Sequence, residues 1–176
     1  MTTRRRLLAL LLPFVPVVPA MLSGCGWEPL YANNETAAGS ADLRAVQVQR
    51  IPERVGQQLE MALRNSFNPS GEPTKPKYSL IVTLGTALTD LGIQSQGIGT
   101  RGEVIVNASY RLVEVGTNKP LQSGSIHTSD SFDIQANGYS TVVAEDDAKA
   151  RCVEEVRREI VTRLTMFMEN KQAASS

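Results

Sequence analysis

The chain carries few of the side chains that enzymes and metal sites use. It has one histidine, His127, and two cysteines, Cys25 and Cys152, and they do not form a group with metal-ligand spacing. No nucleophile with an accompanying base is apparent, and the adjacent acids Asp146-Asp147 and Glu154-Glu155 suit helix termini and helix surfaces better than catalysis. We therefore expect a protein that is not an enzyme and that has no cofactor and no metal site.

One glycine motif could in principle cradle a phosphate. Residues 97–102, Gly-Ile-Gly-Thr-Arg-Gly, satisfy the pattern G-x-G-x-x-G. That pattern binds dinucleotides when it joins a strand to a helix, but here both flanking segments have the alternation of strands. The uncharged, glycine-rich stretch 92–100 is therefore predicted to be the tip of a hairpin.

Cys25 has the clearest chemistry, because it ends a segment typical of exported proteins. Three arginines at positions 4–6 precede an apolar run, Leu7–Leu22, and the small residues Ser23 and Gly24 follow it. The run has 16 residues and three prolines, whereas a membrane-spanning helix needs about 20 apolar residues. A stop-transfer helix is the alternative, but the prolines and the short length favour a removable signal peptide over residues 1–24.

The residues before Cys25 suggest what happens to its thiol. Leu22-Ser23-Gly24-Cys25 resembles a lipobox, in which the cysteine receives a diacylglyceryl group and becomes the first residue of the mature protein. Several acyl chains, at about 0.8 kcal/mol for each buried methylene, would anchor the chain to a membrane. Gly26 is not the aspartate that signals inner-membrane retention, so we expect the outer membrane. The export route, Sec or twin-arginine, is left open.

Composition indicates one domain and argues against a nucleic-acid partner. We expect residues 25–41 to be a lipidated N-terminus and tether, residues 42–170 to form the domain, and residues 171–176 to be a disordered tail. The chain has 18 basic and 18 acidic residues and no basic stripe with interleaved aromatics, so no nucleic-acid partner is expected. Cys152, on an apolar helix stripe, is predicted to be a buried packing residue.

The spacing of apolar residues predicts six elements. A short strand is expected within Leu43–Ile51, and after Pro52 a helix with an apolar stripe at every fourth residue. Alternation then predicts strands that begin at Tyr78, at Val104 and at Leu121, the last of these ending at Ile134. A long helix follows, with Thr141 as its expected cap. Its apolar stripe is Ala144, Ala148, Cys152, Val156, Ile160, Leu164 and Met168.

This order of elements predicts an α+β fold, in which two helices pack on one face of a small, mainly antiparallel four-stranded sheet. The opposite face of the sheet would then be free of helices. It would carry a semi-polar set of side chains that could stay wet or meet a partner. The set is Ser79, Ile81, Thr83, Ala87, Ile105, Asn107, Ser109, Arg111 and Val113.

Several short motifs resemble the LptE family of lipopolysaccharide-assembly lipoproteins. Cys-Gly-Trp-Glu-Pro-Leu-Tyr at 25–31 looks like the start of a mature LptE of the alphaproteobacterial type, and residues 100–112 resemble the central strand of the family. The resemblance covers most of the mature chain. It implies a lipid-anchored outer-membrane protein that faces the periplasm and the lumen of a β-barrel, LptD. There it would act as a plug and assist the transport of lipopolysaccharide to the outer leaflet.

The resemblance also implies a ligand contact. Some LptE proteins bind lipopolysaccharide through basic residues near loop tips, and Arg101, at the end of the glycine-rich hairpin, is the candidate here. Arg101 as a solvated charge at a strand end is the alternative. No comparable basic residue occurs in the predicted second loop at 135–140.

Two other functions are compatible with a lipid-anchored domain. A free-standing periplasmic lipid-binding carrier or chaperone, tethered by Cys25, would need a deep apolar cavity, whereas a plug needs a filled core and wet outer faces. The regular apolar stripes favour the filled core. A structural lipoprotein that bridges the envelope to peptidoglycan is a third possibility, but no binding motif supports it.

Overall fold

Three helices and four strands make up the described part of the chain, which in this computed structural model is residues 38–93 and 99–174. The elements follow one another along the chain as α1 (Ala38–Arg44), β1 (Val46–Val48), α2 (Arg54–Phe67), β2 (Tyr78–Ile93), β3 (Gly99–Glu114), β4 (Pro120–Asp133) and α3 (Gly138–Ala173). The four strands form one sheet in the order β1-β2-β3-β4. The predicted α+β class, with helices on one face of a four-stranded sheet, is confirmed.

The sheet is mixed, because β1 and β2 are joined through a helix. β1 runs parallel to β2, with Val46 opposite Tyr78, and α2 connects them as a crossover. β2, β3 and β4 then pair antiparallel as a meander. β2 and β3 are 16 residues long, roughly 50 Å each at 3.3 Å per residue, so their hairpin extends far beyond the three-residue β1.

Two contacts between side chains define how the helices run. Arg54 at the start of α2 forms an ion pair with Asp146 at 3.4 Å, and Ser66 near its end accepts a hydrogen bond from Arg157 Nη1 at 3.0 Å. The contact nearer the start of α2 is also the one nearer the start of α3, so the two helices run parallel to each other. At its C-terminal end α3 returns to the start of β2, where Lys171 Nζ donates to Tyr78 Oη at 3.0 Å.

The core lies between the helices and the inner face of the sheet. The predicted stripes supply it: α2 buries Leu59, Leu63 and Phe67. From α3, every residue of the predicted stripe between Ala148 and Met168 is buried. The sheet adds side chains at alternate positions, and they are Tyr78, Leu80, Val82, Val104, Val106, Ala108, Tyr110, Leu112 and Ile126.

The ends of the first elements and of β3 differ from the predictions. α1 was not predicted, and it includes Leu43 and Arg44, which were assigned to a strand. β3 begins at Gly99 and not at Val104, so part of the predicted hairpin tip at 92–100 belongs to the strands.

The long helix also begins and ends at other residues than predicted. α3 begins at Gly138 with Asn137 as its cap, whose side chain accepts from the Tyr139 amide at 3.0 Å, and not at Thr141. Residues 171–173 of the expected tail are the last residues of α3, where Lys171 Nζ donates to Tyr78 Oη.

Candidate functional site

The candidate site is the open face, by which we mean the side of the sheet on which none of the described helices packs. The buried positions of β2 and β3 are even-numbered, so their odd-numbered side chains point to the opposite side. The face therefore takes one side chain from every second position of each strand. It consists of Gln47 on β1, Ser79, Ile81, Thr83, Gly85, Ala87 and Thr89 on β2, Arg101, Glu103, Ile105, Asn107, Ser109, Arg111 and Val113 on β3, and Ser123, Ser125, His127, Ser129, Ser131 and Asp133 on β4.

The open face is mostly polar, and its charges lie mainly toward one end. Hydroxyl and amide groups dominate it, Arg111 is the only formal charge between Ile105 and Val113 of β3, and Arg101, Glu103 and Asp133 lie toward the β2–β3 hairpin. Some of these groups are already hydrogen-bonded: Ser79 Oγ accepts from Gln49 Nε2 at 2.8 Å, and Asn107 Oδ1 lies 2.7 Å from His127 Nδ1. The middle of this surface therefore offers many hydrogen-bond donors and acceptors with little cost of removing charges from water.

Two shallow depressions mark the open face. One, of about 490 Å³, lies between β1 and the start of β2 and is lined by Gln47, Gln49, Ser79 and Ile81, among others. The other, of about 440 Å³, lies over the middle of the sheet. Arg111 lines the second depression, between Thr83 on one side and Ser123 on the other. Both are shallow concavities in a broad surface that a partner could cover.

Arg111 was not singled out as a site residue from the sequence. It lies opposite Ile81 in β2 and Ser123 in β4, and within the described residues it forms no ion pair. A guanidinium with five donors in an uncharged setting can bind a carboxylate, a phosphate or a row of carbonyl groups. The signal that could have found it is its position, as the sole charge at the alternating sites from Ile105 to Val113 of β3.

Arg101, the predicted lipopolysaccharide contact, lies near the far end of the same sheet. It is exposed in β3, opposite Asp133 of β4, and its Nη2 donates to Ser131 Oγ at 2.7 Å. Along β3 it is separated from Arg111 by roughly 30 Å, at about 3.3 Å for each residue of a strand. The structure therefore does not bring the two arginines together.

Cys25, the predicted lipid attachment residue, lies outside the described residues, as do residues 26–31 that carry the family resemblance. Among residues 38–93 and 99–174, no helix is long and apolar enough to cross a bilayer. The same residues contain no group of three or more His, Cys, Asp or Glu side chains placed to hold a metal ion.

Many charged side chains of α3 pair with one another. Arg157 pairs with Glu154, Arg158 with Glu155, and Arg163 Nε lies 2.7 Å from Glu159 Oε1. The hydrogen bond from Arg157 is the main cause that lowers the pKa of Glu154. The prediction that Glu154 and Glu155 lie on a helix surface is confirmed.

Cys152 is buried, as predicted from its place on the apolar stripe of α3. Its exposed fraction is 1%. Burial raises the pKa of its thiol, and the negative charge of Asp130 acts in the same direction. The thiol is therefore held in its unreactive protonated form, which indicates packing and not chemistry.

Comparison by sequence finds no relative for this chain, since no family model and no curated protein matches it. Comparison of structures does find similar folds. A protein of Caulobacter crescentus described as a lipoprotein aligns over 77% of this chain and 98% of its own length, with a TM-score of 0.62 and 18% identity. The fold is shared with lipoproteins.

Two further solved structures extend the same likeness. A minor lipoprotein of Acinetobacter baumannii aligns over 70% of this chain and 92% of its own, with a TM-score of 0.51 and 8% identity. A lipoprotein B of Nitrosomonas europaea aligns over 71% and 86%, with a TM-score of 0.51 and 15% identity. At these identities the comparison concerns the fold, and the fold is one that bacterial lipoproteins use.

Proposed function

We propose that this chain is an outer-membrane lipoprotein of the LptE type, which forms a complex with an LptD-like β-barrel and acts there as plug and assembly partner in lipopolysaccharide transport. The observation that carries the proposal is the open face, a broad sheet surface of hydroxyl and amide groups with a single charge in its middle, backed by a filled core. The fold shared with bacterial lipoproteins supports the lipid-anchored part of the proposal.

The open face suits the inside of a β-barrel for a physical reason. The lumen of a large outer-membrane barrel is polar, so a plug must offer hydrogen-bonding groups and must not bury unpaired charges against the wall. Serine, threonine, asparagine and glutamine side chains meet both conditions. Arg111, in the middle of the face, would bind a carboxylate or carbonyl group of the barrel wall.

A lipid carrier is favoured less by the described residues. A carrier needs a deep apolar cavity, whereas a cavity of about 620 Å³ among the described residues is an open groove between β4 and α3. Charged side chains line that groove, including Asp130, Arg151, Glu154 and Arg158. The space between the sheet and the helices is filled by side chains with 0–8% of their surface exposed.

Affinity purification from solubilised outer membranes tests the complex. A tag placed after Ser176 avoids the lipidated N-terminus, and we expect the chain to be recovered with a large β-barrel protein in a constant ratio. As a matched control, a tagged chain with Arg111→Glu should fold normally and recover less barrel, because it places a carboxylate where the barrel wall would receive a guanidinium. Recovery of the wild-type chain without any β-barrel protein would contradict the proposal.

The lipid anchor has its own test. Cys25→Ala removes the thiol that would be acylated, so we expect the variant to leave the outer-membrane fraction, and fractionation with immunodetection measures this. Cys152→Ala, which removes the other thiol, should leave the location unchanged. Normal outer-membrane recovery of Cys25→Ala would mean that the barrel alone retains the protein.

Arg101 is proposed as a lipopolysaccharide contact. Arg101→Glu is expected to weaken binding of purified lipopolysaccharide, since it replaces a phosphate-binding guanidinium by a carboxylate. The circular dichroism spectrum should not change, because Arg101 is exposed and bonds to a surface hydroxyl, Ser131 Oγ. Unchanged affinity would identify Arg101 as a solvated charge at the end of the strand.

A further inference from the structure

The outer edge of β2 is paired over only a short part of its length. β1 pairs with Tyr78 to Leu80, and the amide of Gln49 extends the pairing by one bond, to the Leu80 carbonyl at 2.9 Å. Beyond Leu80, no segment among residues 38–93 and 99–174 bonds to this edge. Odd-numbered residues of β2 bond to β3, so the N–H and C=O groups of four even-numbered residues point outward unpaired. These are Val82, Leu84, Thr86 and Leu88.

This edge also lacks the features that normally protect an edge strand. Residues 79–89 contain no charged residue and no proline, and the first irregularity of pairing is at Asp90 and Gly92. Natural sheets protect their edges with charges, prolines, bulges or covering elements, because a flat unpaired edge templates the addition of a strand. Leu88, which is 55% exposed, adds an apolar side chain beside the edge.

The opposite edge of the sheet, on β4, is protected by contacts with α3. On β4, Arg163 Nη1 of α3 donates to the outward carbonyl of Ser125 at 3.2 Å. Asp130 of the same strand forms an ion pair with Arg151 of α3. α3 therefore covers the β4 edge with charged groups, and within the described ranges the β2 edge is left bare.

We infer that the outer edge of β2, from Val82 to Leu88, accepts an extended strand from the chain's partner protein. The added strand would lie in line with β1 and continue the sheet past the end of that strand. The seven-residue row offers four N–H and four C=O groups, and only an extended backbone satisfies them all. The identity of the partner, an LptD-like barrel protein, rests on the proposed function. The strand-accepting edge itself rests on the backbone geometry of β2.

The side chains beside the edge define the chemistry of the incoming strand. Leu84 and Leu88 lie on the helix side and are only partly covered, so they would contact apolar residues at alternate positions of the strand. Thr83, Gly85 and Ala87 lie on the open face and leave room for small polar residues. An uncharged segment of about seven residues, with apolar and small polar residues in alternation, fits both sides.

A second copy of this chain fits the edge less well. Two copies of β2 paired antiparallel about Gly85 would set Leu88 of one copy opposite Val82 of the other. Asp90 would then fall opposite Leu80, where the Gln49 amide already occupies the carbonyl. The strand of a second copy would have to leave the sheet at that point, whereas a separate segment can end there.

Residue-resolved hydrogen exchange on the full lipidated chain, alone in detergent and in the purified complex with its barrel, tests the inference. In the free chain the amides of Val82, Leu84, Thr86 and Leu88 should exchange fast, and in the complex they should slow by at least about tenfold. The amides of odd-numbered neighbours, such as Thr83, bond to β3 and should be protected in both states. This alternation distinguishes an added strand from general coverage of the surface.

Proline scanning provides the matching variant. Thr86→Pro removes one outward N–H and should weaken the complex by about tenfold, whereas Thr86→Ala keeps the amide and should not. Circular dichroism checks folding, and if Thr86→Pro fails to fold, the exchange measurement on the wild-type chain decides.

Each outcome has a definite meaning. A complex in which the even-numbered amides still exchange fast would overturn the strand-accepting edge and leave the proposed function intact. Protection in the isolated chain that rises with concentration, together with a doubled mass, would identify a second copy as the occupant and also overturn the inference. Failure to recover any barrel complex would contradict the proposed function, and the inference as stated with it.

Discussion

Cys152 shows how a residue with possible chemistry becomes a packing residue. It lies on the inner side of α3 with 1% of its surface exposed, and burial raises the pKa of its thiol. The folded state therefore holds the proton more tightly than the unfolded state does. The contribution of this pKa difference to the free energy of unfolding is fully present below the ordinary pKa of a thiol. It is lost as the pH rises through the raised pKa of the folded chain.

Thiol labelling measures this directly. If Cys25 is acylated as proposed, Cys152 is the one remaining thiol, and we expect it to react with iodoacetamide far more slowly in the folded chain at neutral pH than in denaturant. Cys152→Ala should cost about 1–2 kcal/mol of unfolding free energy, whereas Cys152→Asp, which buries a charge, should prevent stable folding. Rapid labelling of the folded chain would contradict the burial.

At the scale of the strands, two glycines are covered by aromatic rings of the neighbouring strand. Gly102 lies opposite Phe132, and a Cβ atom at Gly102 would come within 2.5 Å of that ring. Gly124 lies opposite Tyr110, whose ring would be 2.8 Å from an added Cβ. The rings therefore fill the places that side chains would otherwise take, and they fix the register of β3 against β4.

This arrangement predicts opposite effects for the same substitution. Gly102→Ala and Gly124→Ala should each destabilise the fold by about 1–3 kcal/mol, because the ring must move. Gly85→Ala is the control: nothing lies within 4 Å of its added Cβ, and we expect a gain of roughly 0.4–1 kcal/mol from the less flexible unfolded chain. Chemical denaturation measures all three, and equal effects would show that the rings do not constrain the strands.

At the scale of the helices, α3 joins the sheet through one stripe. Leu164→Ala should cost about 2–5 kcal/mol of unfolding free energy, because Leu164 has no exposed surface and the substitution leaves a cavity. Met166→Ala, two residues away and 55% exposed, should change it by less than about 0.5 kcal/mol. Similar losses for the two variants would mean that α3 does not pack as described.

Most helices and strands could be predicted because their apolar residues recur at regular intervals. The residues at which they end, and the residues that pack over each strand, could not be predicted. Leu88 has the alternation of a core residue and lies on the core side of β2, yet it is 55% exposed, since periodicity gives the side of a strand and not what lies over it. α1 carries too few apolar residues to show a period. The end of α3 depends on the contact of Lys171 with Tyr78, 93 positions away along the chain.

At the scale of the whole molecule, the polar open face with Arg111 on it could be predicted, but the role of Arg111 and the bare edge of β2 could not. Alternation in β2 and β3 already placed Ser79, Thr83 and Ser109 on one side. The importance of Arg111 depends on its neighbours across two strands, Ile81 and Ser123, and that register is set by pairing between distant segments. The bare edge of β2 follows from the pairing of the short β1 with only the first residues of β2, and the sequence predicted the short strand but not where it pairs.

The described domain has a filled core and unoccupied polar surfaces. Many charges of α3 are paired with one another, and the open face and the β2 edge carry hydrogen-bonding groups that a partner could use. Binding of the proposed partner to the folded chain would therefore stabilise the fold.

Labelling of the open face in its native membrane tests this account most directly. Ser109→Cys places an exposed thiol in the middle of that face, and the buried Cys152 contributes little background. If the chain sits in a barrel, the introduced thiol should react with a water-soluble maleimide much more slowly in intact outer membranes than in the lipidated chain purified in detergent away from its partners. Equal rates in the two states would show that the open face is free in the cell, and would contradict the proposed complex.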